Sequence, residues 1–451
     1  MKDLLDVGLC IFVALGAYLA VPTKVREKWL PIAFAYLLFW NGGGCIFVGM
    51  LNRFVYQICW LANLLAMGVV LSDFRLSLFV KNGALGAFLL FLGYYTIAGL
   101  CGEGATSELV AYHFRIFRMV VIGLIIGIWT RRVPDGFARL LKTVTIAIFV
   151  LSLLYIRYGS WSASAMLDNR GRMVVDASQL IGDESQIKGV FNVNRFALLT
   201  TMLLSYIVLL LMNITIERAK RFYKIAGVFC CLVLSIVCIK TGSRNGGAGL
   251  IALAWYFLFG TGKLDIGKKM LFAISIGVAL SVMVAVFMSG NELRIFQFQT
   301  EMEKGGAFED MGTGRGSLFL NIYNGMTHSE RVFGKGVVWY YVPVTGQRLA
   351  NNAHSMYFDI IIHSGWVGFS LFVLFCVAFL VSARRSGGRK NVAILFWLVW
   401  ILTGIGEAAN IAPSAGYAKY GLGIALAMCS KRRFGNEMEW ESGVRHPIWG
   451  A

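Results

Sequence analysis

Apolar residues occur in long, nearly uncharged blocks, and this pattern restricts the possible folds of the chain more than any other feature. The blocks are about 20 residues long, the length of helix that crosses a hydrocarbon core about 30 Å thick. Hydrophobic residues make up 57% of the 451 residues and charged residues only 15%. A water-soluble domain of this size needs more charge to cover its surface. The sequence therefore predicts an all-α polytopic membrane protein with about 12–13 transmembrane helices.

The predicted spans share high hydropathy and few charges. They are 4–21, 30–50, 54–71, 84–100, 116–130, 143–158, 191–213, 225–240, 247–260, 270–289, 356–382, 393–406 and 416–430. The first span has no basic segment before it, so we interpret it as a retained helix and not as a cleaved signal. The run Asn41–Gly44 could interrupt the second span, because consecutive glycines weaken a helix.

Lysines and arginines concentrate in alternate loops, which predicts the orientation of the spans. They fill 131–142, 214–224, 261–269, 383–392 and the tail after residue 431. Such loops face the cytoplasm by the positive-inside rule. The two long loops, 159–190 and 290–354, then lie outside, and an odd number of spans places the amino terminus outside too. The net charge of +18 has the same origin and does not indicate nucleic acid as a partner.

This alternation divides the chain into five segments. Residues 1–158 form the N-terminal transmembrane helices, and 159–190 form an outer loop. Residues 191–289 form further transmembrane helices around a Ser-Arg turn, and 290–354 form a large outer loop. Residues 355–451 form the C-terminal transmembrane helices and a cytoplasmic tail.

The first polar cluster that could carry chemistry is Thr241–Gly246, between two predicted spans. Its glycines permit a sharp break, and Ser243 suits the N-cap of the next helix. Arg244 then opens that helix, where free N–H groups and the helix dipole favour an anion. The structural alternative is a short turn with an arginine reaching for the membrane surface. Arg195, just inside another span, is a second ionisable group at a depth that favours a function.

The second cluster is Gly312–Gly316, which places Arg315 at the start of another helix. The helix itself is indicated by apolar residues at helical spacing, which are Leu318, Phe319, Ile322, Tyr323 and Met326. This pattern predicts that one face lies in the membrane interface. Two arginines at helix starts on one side of the membrane could clamp a diphosphate. A simple interfacial anchor is the alternative for Arg315.

The third cluster is Asn351–Tyr357, at the entrance to a long span. His354 stands at the mouth of this span, where a histidine can act as a general base near neutral pH. Asn352 precedes it, and Tyr357 follows about one turn later. A helix-capping role is the structural alternative for His354. His363 faces nearly the opposite way, so we interpret it as a buried packing residue.

These clusters resemble, in order and spacing, the O-antigen ligase and polymerase superfamily of bacterial surface-glycan enzymes. Gly189–Asn194 is similar to the family's entry motif, in which a glycine and a phenylalanine precede Asn-Pro-Asn, with Val193 in place of the proline. Thr241–Gly246 is similar to its Thr-x-Ser-Arg-Gly turn. Gly314-Arg315 followed by Phe333–Gly336 is similar to its Gly-Arg … Phe-Gly-x-Gly stretch. His354-Ser355, nine residues and then Gly365 and Gly368 match its histidine signature.

The resemblance implies a membrane glycosyltransferase of GT-C-like, all-helical architecture that works without a metal or other cofactor and inverts the anomeric centre. The implied donor is an undecaprenyl-diphosphate-linked glycan. By motif position, Arg244 and Arg315 bind its diphosphate and His354 activates the acceptor hydroxyl, with Ser243, Arg195, Asn352 and Tyr357 as supporting residues. The implied location is the bacterial inner membrane, with the active site facing the periplasm and membrane lipids around it.

Three functions stay open at this point. An O-antigen polymerase attacks with a sugar of a second lipid-linked repeat, and the Gly-Arg and Phe-Gly-Lys-Gly pieces favour it. A ligase transfers the glycan to lipid A-core in lipopolysaccharide biosynthesis. A transporter of lipid-linked glycan needs no chemistry, but transporters usually show internal repeats. A chain-length regulator protein is a further candidate partner.

Overall fold

A computed structural model describes most of the helical part of the chain. The described residues are 2–50, 53–74, 82–101, 106–158, 173–174, 190–191, 193–213, 221–240, 244–259, 315–336, 339–341, 348–350, 355–386, 389–405 and 416–430. Within these ranges the structure contains fourteen helices and two small antiparallel hairpins.

The first nine helices follow one another from the amino terminus. They are α1 (Lys2–Ala20), α2 (Thr23–Met50), α3 (Arg53–Leu71), α4 (Gly83–Cys101), α5 (Thr106–Arg132), α6 (Gly136–Tyr158), α7 (Val193–Asn213), α8 (Arg221–Lys240) and α9 (Arg244–Phe259). The strands β1 (Met173–Val174) and β2 (Val190–Phe191) pair with each other before α7.

Five more helices and one more strand pair follow. The helices are α10 (Arg315–Asn324), α11 (His328–Phe333), α12 (Met356–Arg384), α13 (Lys390–Thr403) and α14 (Gly416–Met428). The strands β3 (Trp339–Tyr341) and β4 (Arg348–Ala350) pair between α11 and α12.

The fold class predicted from the sequence is confirmed: the chain is an all-helical, multi-pass membrane protein. Six of the described helices, α3, α4, α5, α6, α8 and α12, are long and apolar enough to cross a membrane. The apolar parts of α1, α7, α13 and α14 are shorter. Twelve of the predicted spans coincide with α1–α9 and α12–α14, and the span predicted at 270–289 lies outside the described residues.

The glycine run Asn41–Gly44 does not interrupt α2, which is continuous from Thr23 to Met50. Instead, Gly42 lies against α6, where the Tyr155 hydroxyl donates to its carbonyl oxygen at 2.8 Å. A Cβ atom at Gly42 would lie 2.7 Å from a methyl carbon of Leu151. Small residues allow transmembrane helices to approach closely, so this glycine serves packing and not a break.

Arginines mark one end of the helical bundle, which we call the basic end and define by Arg131 and Arg132 in the last turn of α5. Arg131 donates to the carbonyl oxygens of Ala427 and Ser430, at 2.8 and 3.1 Å. These carbonyls belong to the carboxyl-terminal end of α14, where a cation is favourable. α5 and α14 therefore both end at the basic end.

The first three helices also reach the basic end. Arg26, in the first turn of α2, donates to the Ser72 carbonyl oxygen just after α3 at 2.9 Å. Arg132 forms an ion pair with Asp73 at 2.9 Å. α2 therefore begins and α3 ends at the basic end. Because two residues join α1 to α2, α1 begins at the opposite end of the bundle.

Contacts between α4, α5 and α12 place the start of α12 at that opposite end. The Tyr95 hydroxyl of α4 hydrogen-bonds to Nδ1 of His363, while Phe91 contacts Phe372 with 5.5 Å between ring centroids. α4 and α12 are therefore antiparallel. The ring of His113, near the start of α5, lies 5.3 Å from that of Tyr95. α12 consequently begins where α5 begins, away from the basic end.

α8 ends at this same far end of the bundle. α6 returns from the basic end, because only a short turn joins it to α5. The Lys142 ammonium lies 5.8 Å from the Tyr223 ring, and Phe149 lies 5.3 Å from Phe229. α6 and α8 are therefore parallel. Three residues separate the end of α8 at Lys240 from the start of α9 at Arg244.

Candidate functional site

α12 is kinked at Gly365, the glycine of the histidine signature. Gly365 has φ 62° and ψ −169°, inside an otherwise helical segment. This backbone conformation is essentially restricted to glycine. A kink of this kind removes helical hydrogen bonds from carbonyl groups in the turn before it, and such groups are costly to leave unpaired in a membrane.

The segment after α11 supplies replacement donors to two of these carbonyl groups. The Lys335 N–H donates to the Ile362 carbonyl oxygen at 2.8 Å, and the Gly336 N–H donates to the His363 carbonyl oxygen at 3.1 Å. The Phe-Gly-Lys-Gly stretch therefore docks on the kink of the histidine signature. Two motifs separated in the sequence are one structural unit.

The docking requires glycine on both sides. A Cβ atom at Gly334, where φ is 101°, would lie 2.1 Å from the His363 carbonyl oxygen. A Cβ atom at Gly365 would lie 2.3 Å from the Val332 carbonyl oxygen and 2.6 Å from the Gly334 nitrogen. These neighbours are backbone atoms, which cannot turn aside as a flexible side chain can.

Aromatic contacts place α10 alongside α12. The rings of Phe319 and Phe358 stack with 4.3 Å between their centroids and 15° between their planes. Farther along both helices, the Trp366 indole N–H donates to the Tyr323 hydroxyl oxygen at 3.0 Å. The two helices are therefore parallel, and both begin at the same end.

The aromatic side of α10 contacts α12. Phe319 stacks on Phe358, and the Tyr323 hydroxyl accepts the Trp366 bond. Met326, from the same predicted face, is buried, whereas Leu320 is exposed. The helix predicted from the spacing is confirmed, and its place in the membrane interface stays a prediction.

The turn between α10 and α11 is held by local hydrogen bonds. The Arg331 guanidinium donates to the carbonyl oxygens of Tyr323 and Asn324, both at 3.2 Å, and so caps the end of α10. Thr327 and Glu330 form a capping box at the start of α11. The N–H and hydroxyl of Thr327 donate to the Glu330 carboxylate and hold its pKa below the ordinary value.

A second pair of helix starts meets through Gly246 of α9. A Cβ atom there would lie 3.1 Å from Cβ of Ala197 in α7 and 2.7 Å from the Cys238 sulfur in α8. One turn farther on, Gly249 contacts Thr201 of α7 in the same close manner. α7 and α9 are therefore parallel neighbours, with their starts together beside the end of α8.

α13 connects the two pairs of helix starts. The Met356 N–H at the start of α12 donates to the Gly404 carbonyl oxygen after α13, at 2.9 Å. The Tyr357 hydroxyl donates to the Ile401 carbonyl oxygen at 2.7 Å. α13 also packs against α7 and α9. We call this end of the bundle, where α7, α9, α10 and α12 begin, the motif end.

The structure places four of the predicted site residues, Arg195, Arg244, Arg315 and Tyr357, at or near these helix starts. Arg244 is the first residue of α9, Arg315 the first residue of α10, and Arg195 lies in the first turn of α7. For these three residues the structure describes the backbone only. Ser243, Asn352 and His354 lie outside the described residues, although His354 directly precedes Ser355, the N-cap of α12. Tyr357 is half-buried and bonds to α13.

The interior holds a cluster that the sequence analysis recognised only in part. His363 is buried as predicted, and its ring nitrogen Nδ1 pairs with the Tyr95 hydroxyl. His113 is also buried and contacts the same tyrosine ring. These residues come from α12, α4 and α5, and their large separation in the sequence concealed the contact. Tyr95 and His363 lie within predicted apolar spans and His113 lies three residues before one, and polar residues at such positions were the signal that the sequence offered.

The helices at whose starts the motif pieces lie in the sequence, α7, α9, α10 and α12, therefore begin at one end of the bundle. Residues 229–373 match the model of the O-antigen ligase family. This match confirms the resemblance to the O-antigen ligase and polymerase superfamily. It includes Arg244, Arg315 and His354, whereas Gly189–Asn194 precedes it.

The matched O-antigen ligase segment extends from within α8 to the middle of α12. It therefore contains both the start of α9 and the docked unit of α10, α11 and the kinked α12. No curated protein matches the chain. The family match thus supports O-antigen ligase-like or polymerase-like processing of a surface glycan.

Proposed function

We propose that the protein is a membrane glycosyltransferase that polymerises undecaprenyl-diphosphate-linked repeat units of a surface glycan at the periplasmic face of the inner membrane. The observation that carries this proposal is that α9, α10 and α12, whose starts lie within the stretch matched to the O-antigen ligase family, all begin at the motif end. Arg244 and Arg315 are the first residues of α9 and α10, and in the sequence His354 lies two residues before Met356, the first residue of α12.

In this proposal the donor diphosphate binds to Arg244 and Arg315. A guanidinium offers paired N–H donors that match phosphate oxygens, and the free N–H groups of a helix start add to the attraction. Negative charge on the diphosphate grows as the sugar bond breaks. Fixed cations therefore stabilise the transition state more than the bound donor.

His354 is the proposed general base. The acceptor hydroxyl oxygen attacks the anomeric carbon, its proton passes to His354, and the bond from that carbon to the diphosphate oxygen breaks. Undecaprenyl diphosphate leaves with the electron pair, so the reaction inverts the anomeric centre. The side chains named here supply both charge stabilisation and proton removal, and the proposal needs no metal ion.

A ligase that transfers the glycan to lipid A-core is the main alternative, because the same donor site serves both reactions. The description of the matched family favours this alternative. The resemblance of the Gly-Arg and Phe-Gly-Lys-Gly pieces to those of polymerases favours the polymerase. The transporter alternative would use the same glycan without catalysis.

A surface-glycan gel of a deletion strain separates these functions. A polymerase deletion leaves core capped by a single repeat, whereas a ligase deletion leaves bare core and free lipid-linked polymer. An unchanged ladder would contradict both enzyme functions.

Complementation with arginine variants tests the diphosphate site. We expect Arg244→Ala and Arg315→Ala to weaken donor use, and Lys to restore it poorly because it lacks the planar fork. Full glycan production by both alanine variants would refute the diphosphate site, provided that the variants are expressed at the wild-type level.

A further inference from the structure

We propose that Tyr323 and Trp366 are positioning residues, and that their hydrogen bond, with the glycine docking at Gly334 and Gly365, fixes Arg315 beside the start of α12. The inference rests on the proposed function, in which Arg315 and the histidine signature act on the same donor and must therefore be aligned. It gives the Phe-Gly-Lys-Gly motif a role in geometry and none in chemistry.

The contacts lie a short distance from the helix starts. Phe319 lies four residues after Arg315, the first residue of α10, and Phe358 lies two residues after Met356, the first residue of α12. Four helical residues span about 6 Å. Because these two rings stack and the helices are parallel, the starts of α10 and α12 differ by no more than about one helical turn in height along the helix axes.

The contacts fix both the axial position and the angle of α10 relative to α12. One aromatic stack alone would act as a pivot. The bond from Trp366 to Tyr323 adds a second contact one turn farther along α10. The bonds from Lys335 and Gly336 to α12 add a third, beyond α11. Three separated contacts hold a helix in one orientation, which a binding group at its end requires.

The docked segment after α11 and the kinked part of α12 are also joined to α4. The Tyr94 hydroxyl donates to the Phe333 carbonyl oxygen at 3.1 Å, next to the docking glycine. Tyr95, the following residue, bonds to the His363 ring within the kink. α4 therefore holds both the kinked part of α12 and the segment docked on it.

Hydrogen exchange tests the positioning directly and needs no enzymatic activity. Tyr323→Phe removes the acceptor of the indole N–H and keeps the ring, whereas Trp366→Phe removes the donor. In purified full-length protein we expect either variant to speed amide exchange in 315–324 by about twofold to tenfold, the range for one lost hydrogen bond. The double variant should exchange no faster than the single variants.

The matched control is Tyr36→Phe, which removes a tyrosine hydroxyl bonded to the Cys59 carbonyl oxygen at 2.8 Å, between α2 and α3. This variant should leave exchange in 315–324 at the wild-type rate. Unchanged exchange in that segment in both Tyr323→Phe and Trp366→Phe would overturn the inference, because the bond would then not hold α10.

Transfer kinetics with an undecaprenyl-diphosphate-linked donor test the consequence for Arg315. Tyr323→Phe should lower the transfer rate severalfold in the wild-type background and have no further effect in the Arg315→Ala background. The same factor in both backgrounds would overturn the positioning role, since a purely structural loss acts regardless of Arg315. Absence of transfer by the wild-type protein would refute the proposed function, and the exchange result would still decide whether the bond holds α10.

Discussion

Replacing Gly365 by alanine should separate the segment after α11 from α12. The added Cβ atom would lie 2.3 Å from the Val332 carbonyl oxygen, well inside van der Waals contact. The backbone at this position, with φ 62°, is also one that alanine avoids. The variant must therefore either straighten α12 or move the docked segment away from it.

The magnitude follows from the cost of each outcome. Holding a residue with a side chain in this backbone region costs about 1–3 kcal/mol. Moving the docked segment instead breaks the bonds from Lys335 and Gly336, each with a net value of about 0.5–1.5 kcal/mol, or about 1–3 kcal/mol for the two. Either outcome predicts a loss of about 1–3 kcal/mol in the free energy of docking. The lower limit corresponds to about a fivefold increase in the undocked population.

Hydrogen exchange of the Lys335 and Gly336 amides measures this change. In detergent-purified protein, we expect their exchange to rise at least about fivefold in Gly365→Ala. Gly93→Ala in α4 is the matched control, because a Cβ atom there has no neighbour within 4 Å. Exchange along α5 and α14 reports whether the rest of the bundle stays folded. Wild-type exchange of the two amides in Gly365→Ala would refute the account of the docking.

Two further changes test the described geometry. Gly123→Ala should lower the melting temperature, because a Cβ atom there would lie 2.1 Å from the Tyr420 carbonyl oxygen between α5 and α14 and such overpacking costs about 1–3 kcal/mol. Gly86→Ala, with open space around it, is the control, and equal melting temperatures would contradict the prediction. Protonation of Glu330, whose pKa is lowered by Thr327, should loosen the α11 cap. The cap is then intact above the ordinary glutamate pKa and is lost as pH falls through the lowered value, so exchange in 327–333 should rise in acid, and Glu330→Gln should remove this pH dependence.

The sequence predicted the helical architecture well because the dominant signal is local. The hydropathy and length of each span are determined by its own residues. The predicted span at 84–100, for example, differs from α4 (Gly83–Cys101) by one residue at each end. The exact helix starts at Arg244 and Arg315 were predicted for the same reason. Glycines and a potential cap mark a boundary without reference to the rest of the fold.

The docking of Gly334 on Gly365 could not be predicted from the sequence. Glycine in a helical pattern can signify a break, a close helix contact or a positive φ, and the sequence is the same in each case. Gly42 illustrates the ambiguity, because it serves close packing inside a continuous helix. The contact of Tyr95 with His363 joins residues 268 positions apart, and a single sequence contains no record of such pairs.

In the proposed function, the protein transfers a glycan from a lipid diphosphate at the motif end, with His354 as the general base. The most direct measurement uses the purified protein in liposomes with an undecaprenyl-diphosphate-linked oligosaccharide, and follows glycan elongation and release of undecaprenyl diphosphate together. We predict equal amounts of both products from the wild-type protein and neither from His354→Ala, with wild-type folding shown by unchanged exchange along α12. Elongation by His354→Ala at the wild-type rate would contradict the account.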